Sequence, residues 1–536
     1  MSGGAKEMYA GIQGAGASQG AGVRQTEDGP GGAADGALSA GTPVRIRKDV
    51  VVIGGGPAGM AAAISLHKRG IEDIVLLEKE NRLGGVLSQC IHDGFGLIYY
   101  RKNYSGPEYS AIYEQKIIEN KVPYLTDATV LSVRALPPDS ETPADGGRSL
   151  MTVQTPAGAV EYEASAVIAA TGCRERGRGL AGIPGTRPAG IYTAGTAQAM
   201  INLQNLMPGR RAVIVGSGDI GLIMARRITL EGGQVLCVVE KEDIPGGLRR
   251  NIIQCLEDFD IPLFTNTTVT NVYGKERVFG VDVSRIDSEG RTVPESTRHY
   301  ECDTLILSVG LIPEEDMIED RHRGVFLCGN SLYVHDLVDD VTLEGEMAAG
   351  KVEDYLKEIA SGKQPGETRY SWPGIETMRK KRAELLARKK DAARKKAEAG
   401  AKTITCIMCP NGCEITYDLT GGMCEKGPEY VKNEILNPKR TLTSSVRVAG
   451  GTIPLASVKT TGFIPKEKLR GAMKLIAALA VEAPVEPGQV IRKDFIEEGI
   501  DLVATKAVPA AAPAGDGGVM GESVPAAANT GGRETG

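Results

Sequence analysis

The sequence predicts an α/β protein: two units of parallel sheet, followed by a small β-rich module that carries clustered cysteines. Three observations predict it. Residues 44–360 alternate short β-branched runs with helical stretches, the pattern of strand–helix–strand units. A strand, a glycine-rich loop, a helix and a second strand ending on an acid occur twice with the same spacing. Four of the ten cysteines then fall together between Cys406 and Cys424.

The flanks read differently from the body. Residues 1–43 are rich in Gly, Ala and Ser and have no apolar periodicity, so they are expected to stay disordered, and 509–536 likewise. Residues 366–402 carry the basic run Met378–Arg382 and continue through Arg388, Lys389, Lys390, Arg394, Lys395 and Lys396. This composition favours a basic helical linker, either simply solvated or a docking face for an acidic partner protein. No aromatic residues interleave with it and the net charge is −6, which argues against nucleic acid. There is no apolar leader, and no apolar run reaches the roughly 18–20 residues a membrane span needs. A cytoplasmic protein is expected, with its scattered cysteines reduced. No feature of the sequence sets an oligomeric state.

The first glycine loop follows the apolar strand Asp49–Ile53. Gly54 suits a tight turn, Gly56 lets a pyrophosphate approach the backbone, and Gly59 lets the next helix pack on the strand. The helix N-terminus stabilises phosphate charge. Glu78 ends the next strand, where a carboxylate accepts hydrogen bonds from ribose hydroxyls. Strand, loop, helix, strand and acid in this order make a Rossmann-like dinucleotide fingerprint. The second loop repeats it with Gly216, Gly218 and Gly221 after Ala212–Val215, and Glu240 as the acid. Glu240 would repel a 2′-phosphate and so favours NADH, whereas Arg249 and Arg250 downstream keep NADPH open.

Several segments resemble the pyridine nucleotide-disulfide reductase superfamily. They are Leu83-Gly84-Gly85, the strand Ala166–Ala170 ending in Thr171-Gly172, and Gly324–Cys328 ending in Gly329-Asn330, where Asn replaces the usual Asp. The resemblance implies FAD at the first loop and NAD(H) at the second. It also implies a nicotinamide domain inserted in a split flavin domain: 44–200 and 303–360 for FAD, and 201–302 for NAD(H). With no interface domain of ordinary size after Gly350, the two-domain thioredoxin-reductase-like branch is the better match. The redox cysteine pair of that superfamily is missing. Only Cys90 follows the Gly-Gly, and Arg174–Val215 contains no cysteine. If 88–94 is a strand, Cys90 and His92 share a face and can form a thiolate–imidazole pair beside the flavin, or else pack as a buried thiol and a structural histidine. His335 lies where the superfamily places a helix N-terminus near the flavin, and is a candidate for contact with flavin or substrate.

Within the superfamily, Gln89–Gly96, Thr171–Arg176 and Cys328–Asn330 with Val334–Asp339 resemble a subgroup associated with glycerol-3-phosphate or 2-hydroxyacid dehydrogenase-like flavoproteins. Between Pro313 and Gly324 the chain is shorter than that subgroup, which leaves packing near the flavin open.

Cys406, Cys409, Cys413 and Cys424 are spaced C-x2-C-x3-C-x10-C. Four thiolates in this pattern suit a [4Fe–4S] cluster, or a zinc ion as the alternative. Cys424-Glu425-Lys426-Gly427 is similar to the cluster-binding segment of molybdopterin oxidoreductases. Residues 403–508 as a whole resemble a small cysteine-motif domain of unknown function. Together these resemblances imply an FAD-dependent NAD(P)H oxidoreductase that exchanges electrons with an FAD-dependent dehydrogenase subunit or another redox protein. The alternatives are a flavin-containing scaffold with structural zinc, or a self-contained NADH oxidase.

Overall fold

The computed structural model describes residues 44–136, 148–320, 322–361, 384, 402–420, 422 and 424–511. The expected tail 1–43, most of the tail 509–536, and the expected linker 366–402 apart from 384 and 402 lie outside the described residues.

In the first unit, the apolar run Val50–Ile53 forms the buried half of strand Arg45–Ile53. Alternate side chains leave opposite faces of a strand. Val50 and Val52 therefore join the core under helices Pro57–Lys68, Gly106–Glu119 and Val338–Ala360, while Val51 and Ile53 join a second core under a three-stranded antiparallel layer. The parallel strands run in the order Tyr124–Leu125, Ile74–Leu77, Arg45–Ile53, Gly158–Ala169, Val325–Leu327. Strand Gly158–Ala169 is shared. Its first half pairs antiparallel with Ser149–Thr155, and its last residues pair parallel with Val325–Leu327.

The second unit repeats this architecture. Its parallel order is Ile191–Thr193, Thr304–Leu307, Arg211–Val215, Gln234–Val239, Leu263–Phe264. An antiparallel layer of Thr267–Gly274, Val278–Arg285 and Arg298–Tyr300 covers one face. The chain leaves the first unit through Cys173–Glu175 and returns through Leu311–Pro313, and these two crossings pair antiparallel. The inserted unit is thus wider than the expected 201–302. Ile191–Thr193 and Thr304–Leu307 both belong to its sheet. Each is too short to declare its partner by pattern; Thr304–Leu307 is assigned by pairing with Arg211–Val215, and Ile191–Thr193 by pairing with Thr304–Leu307.

The short connection between Pro313 and Gly324 still closes the first unit. Val133 donates its N–H to Met317 O at 2.8 Å and accepts from Glu319 N at 3.0 Å, with Met317 and Ile318 packed on the core beneath.

The C-terminal module holds a five-stranded mixed sheet in the order Ala480–Glu482, Thr443–Ala449, Leu455–Thr460, Leu502–Ala504, Val490–Arg492. The expectation of a β-rich unit missed two helices, Lys426–Leu436 and Leu469–Ala477. In the second, Leu469, Ala472, Met473 and Ile476 are buried, the i, i+3, i+4, i+7 stripe of an amphipathic helix. The module does not stand apart. Its core is continuous with the helical face of the second unit, joining Leu442, Val446 and Ile476 to Ile201, Ala225 and Ile228.

Polar ties reinforce that seam. Arg227 donates to Asn202 Oδ1 at 2.8 Å, to Ser444 Oγ and Ser445 Oγ at 3.1 Å each, and pairs with Glu231 at 2.8 Å. Arg440 binds both oxygens of Asp258, at 2.6 and 2.9 Å, and both oxygens of Glu434. Lys459 reaches Glu108 of the first unit at 2.6 Å. Among the described residues no helix is long and apolar enough to cross a membrane.

Arg440 and Asp258 are each 3% exposed, and truncating Arg440 breaks its buried pairs with Asp258 and Glu434, leaving Asp258 only Lys466 at 3.0 Å. Arg440→Ala should cost about 3–5 kcal/mol, read as a lower urea midpoint. A midpoint within error of the parent would show that the pair does not hold the seam.

Candidate functional site

Parallel register brings the C-terminal ends of three strands to one edge of the first sheet, because Ile53 and Leu327 both pair with Ala169. The segments that follow those strands are Gly54–Gly59, Ala170-Thr171-Gly172 and Cys328-Gly329-Asn330, at the sheet edge where ligands of open α/β sheets bind. Gly54 has φ +102°, and a Cβ there would lie 2.5 Å from Ala170 O. A Cβ on Gly59 would strike the Gly54 carbonyl, so helix Pro57–Lys68 can seat on the loop only without a side chain there. A Cβ on Gly56 would meet nothing within 4 Å, and the helix starts with no side-chain cap. The helix therefore presents uncapped N–H groups beside an open backbone, a cradle that fits a pyrophosphate.

Glu78 braces this loop. Its Oε2 accepts from Gly55 N at 2.6 Å and its Oε1 from Glu80 N at 2.8 Å. Each oxygen keeps acceptor capacity for a ribose hydroxyl. Gly84 N donates to Gly55 O at 2.8 Å, and a Cβ on Gly85 would lie 3.2 Å from Gly56 Cα, so this pair backs the phosphate turn. Thr171 Oγ1 donates to Glu314 O at 2.5 Å, next to Gly172, whose own carbonyl accepts from Glu314 N at 2.9 Å. Gly329 N donates to Glu344 Oε2 at 2.7 Å. Asn330 Oδ1 accepts from His335 N at 3.0 Å, and its amide lies 3.7 Å from Cys173 Sγ.

The second loop is built alike. Ser217 N and Oγ donate to Glu240 Oε2 at 2.8 and 2.5 Å, and Glu242 N donates to Oε1 at 3.0 Å. A Cβ on Gly221 would lie 2.7 Å from Ser308 Cβ and 2.9 Å from Gly216 O, and one on Gly218 would lie 3.3 Å from Ser308 Oγ. Arg249 and Arg250 turn away to other units. Arg249 pairs with Glu414 of the cysteine hairpin at 3.6 Å, and Arg250 with Asp93 of the first unit at 3.6 Å.

For Cys90 and His92 the placement favours the second of the two expected readings, a buried thiol and a structural histidine. Residues 90–92 are an irregular link between the 3-10 turn Gly85–Ser88 and strand Asp93–Phe95, so the shared strand face does not exist. Cys90 Sγ instead lies 3.7 Å from Gln198 Oε1, and burial pushes its thiol up to about 12. His92 stacks at a tilt on Phe95, and burial lowers it to about 4, with Arg250 and Arg226 acting in the same sense against Asp93. Cys90 and His92 are thus a protonated thiol and a neutral imidazole, not a thiolate–imidazole pair. The His335 imidazole is 2% exposed and bonds Glu344 at 2.8 Å, so it fixes the carboxylate that holds Gly329 N. Sequence reading missed Glu344, Gln198 and Asn202, which act through contacts between distant segments: Gln198 and Asn202 anchor the 89–90 link by bonds to the Gln89 side chain and carbonyl.

The cysteine hairpin pairs Thr403–Thr405 with Glu414–Thr416 and rests on helix Arg249–Cys255 through Ile253. Cys406 is buried, Cys409 and Cys413 are half-buried and Cys424 is exposed. Burial raises the Cys406 thiol, and the charges of Cys409, Cys413 and Cys424 raise it further. The four sulfurs are therefore electrostatic neighbours. Among the described residues, however, no group of three or more His, Cys, Asp or Glu is arranged to hold a metal ion. The expected four-ligand geometry is not assembled in the structure.

The His92 shift sets a pH dependence. Its folded value, about 4, lies below the ordinary 6.5, so the unfolded chain takes up the proton first. Stability from this group is present above pH 6.5 and is lost as the pH falls toward 4, by up to roughly 3 kcal/mol. Melting His92→Gln beside the parent across that window should remove this part of the acid loss. Parallel curves would contradict it.

Residues 48–352 match the family model described as pyridine nucleotide-disulphide oxidoreductase, and residues 425–506 match one described as a protein of unknown function, DUF1667. The second match starts directly after Cys424, so the four cysteines lie outside it. An opine oxidase subunit of Agrobacterium tumefaciens is 27% identical over 280 residues, which is 50% of this chain and 53% of that protein. Hydrogen cyanide synthase subunit HcnB of Pseudomonas aeruginosa is 27% identical over 282 residues, 50% of this chain and 58% of that protein. The chain spans about half the length of these curated relatives. Thioredoxin reductase of Lactococcus lactis superposes with a TM-score of 0.46 at 18% identity, covering 58% of this chain and 99% of that one. With residues 48–352 of 536 matched, the chain belongs to the pyridine nucleotide-disulphide oxidoreductase family.

Proposed function

We propose that the chain is an FAD-dependent NAD(P)H oxidoreductase that exchanges electrons with a partner redox protein. The observation that carries this reading is the duplicated loop. Two dinucleotide cradles, each with its last glycine closed onto the carbonyl of its first and each braced by an acid, stand on two sheets joined by one pair of crossing strands. Bound at the first cradle, FAD would supply hydride acceptance from a nicotinamide and release of electrons one at a time. The chain's own task is to hold and orient. Gly56 and the Pro57–Lys68 N-terminus take the first pyrophosphate, Glu78 the ribose, and Glu344 with His335 keeps the Gly329-Asn330 turn in place. Glu240 disfavours a 2′-phosphate, and Arg249 and Arg250 are engaged elsewhere, which supports NADH at the second cradle.

Cys406, Cys409, Cys413 and Cys424 are the proposed ligands of a [4Fe–4S] cluster through which electrons enter or leave. The spacing of the donor set and the mutual influence of the four thiols support it. Such thiolates call for a reducing compartment, so the cytoplasm is the proposed location. Two curated relatives are named as subunits, which supports a partner protein, and an FAD-dependent dehydrogenase is the proposed type. One observation favours a second reading, a scaffold with structural zinc: the module shares a continuous core with the second unit, as a structural domain would.

Two sets of measurements separate these readings. NADH added anaerobically should bleach the flavin as dithionite does. Gly59→Val should purify without flavin, whereas Gly221→Val should keep it, bleach with dithionite, and need about 10–100-fold more NADH, the cost of overpacking a close helix–strand contact. Flavin that dithionite bleaches and NADH does not would sink the proposal. Iron and labile sulfide in an anaerobic preparation support the cluster, and zinc without them supports the scaffold.

A further inference from the structure

We propose that a small monovalent oxyanion of carboxylate size binds in a partly open cavity of mixed polar and apolar lining, where the first unit, the second unit and the C-terminal module meet. Ile91, His92 and Asp93 of the first unit line it, facing Arg226, Arg227 and Gln254 of the second. Thr443 closes it from the module. None of these residues is part of either dinucleotide cradle or of the cysteine hairpin, so the cavity stands apart from the proposed redox centres.

The charge balance of the wall calls for one negative charge. Arg227 is matched by Glu231 at 2.8 Å. Arg250, directly behind His92 and Asp93, is matched by Asp93 at 3.6 Å. Arg226 has no such partner. It donates to the Thr441 carbonyl at 3.3 Å and lies over the Phe259 ring at 5.9 Å, and among the described residues it forms no ion pair. Arg226 is half-buried at this junction, and a bound carboxylate would give its guanidinium parallel charge-assisted hydrogen bonds.

The unsatisfied donors point the same way. His92 Nδ1 and Arg250 Nε are both buried with no hydrogen-bond partner, and Arg250 is only 6% exposed. Buried polar atoms are nearly always paired, so the His92 orphan on the cavity wall marks a place where a partner belongs, while Arg250 lies outside that wall. Elsewhere on the wall the groups are committed: Asn202 to Gln89 and Arg227, and Asn251 to Asp219. Arg226 and His92 are left to bind. A planar carboxylate can accept from the guanidinium on one edge and from the imidazole N–H on the other. All three units contribute to the wall, so a bound anion would also tie them together.

The test uses the full chain loaded with FAD and NAD⁺, which occupies the dinucleotide cradles. Sodium acetate, sodium propionate and sodium benzoate are each compared with sodium chloride at matched ionic strength by thermal melting. Acetate should raise Tm saturably and benzoate should not, because the ring does not fit the cavity. Arg226→Gln should weaken the acetate response about tenfold or more, the loss of a charge-assisted hydrogen bond, and Arg226→Lys should restore part of it. Should Arg226→Gln fail to fold, Gln254→Leu and Thr443→Val change the wall without removing the charge and should shift the acetate half-saturation point. Acetate acting no differently from chloride, or equally on the parent and Arg226→Gln, would mean a water-filled cavity and overturn the proposal.

Discussion

The absence of a side chain at Gly59 and at Gly221 is the constraint on which both cofactor cradles rest. Each helix must come down onto the carbonyl of its own loop, Gly54 or Gly216, to present its first N–H groups to a phosphate. Everything nearby is arranged around that close approach. Glu78 and Glu240 each accept from the loop backbone and from a second N–H two residues downstream of the acid, so the turn is braced from below by a carboxylate before any ribose arrives. The two units reach one geometry with different neighbours: Ala170 lies behind the first loop and Ser308 behind the second.

The C-terminal module changes what the two units can do relative to each other. The units are joined covalently only by the paired strands Cys173–Glu175 and Leu311–Pro313, a narrow waist. The module adds a broad apolar seam to the second unit, and Lys459 carries an ion pair to the capping box of helix Gly106–Glu119 in the first. Helix Arg249–Cys255 lies at the centre of this junction. Its first two residues engage opposite directions, Arg249 toward the cysteine hairpin and Arg250 toward Asp93, so flavin unit and cysteines are linked through a single helical turn.

Much of the site was legible because its demands are local. A turn that needs φ near +100°, a helix that tolerates no Cβ and an acid at the end of the next strand all lie within one strand–helix–strand unit, and residue type reports them directly. His335, Cys90 and His92 were not legible in the same way. Their residue types suggested chemistry, but burial sets the protonation of Cys90 and His92, and the partners are Gln198 from a distant helix for Cys90 and Glu344 from the next helix for His335. Helix Leu469–Ala477 was missed because its apolar stripe is only nine residues long and runs into the apolar strand Ala480–Glu482.

The sequence by itself determined two dinucleotide loops, their acids and a cluster of four cysteines, because each is written in contiguous residues with fixed spacing, while the inserted arrangement came only through a resemblance. Only the tertiary structure decided where the insertion begins and ends, that the C-terminal module shares a core with the second unit, and that Arg226 and His92 face one cavity. Those outcomes depend on strand pairing, burial and charge balance between residues far apart in the chain, and such interactions leave no periodic mark on the sequence.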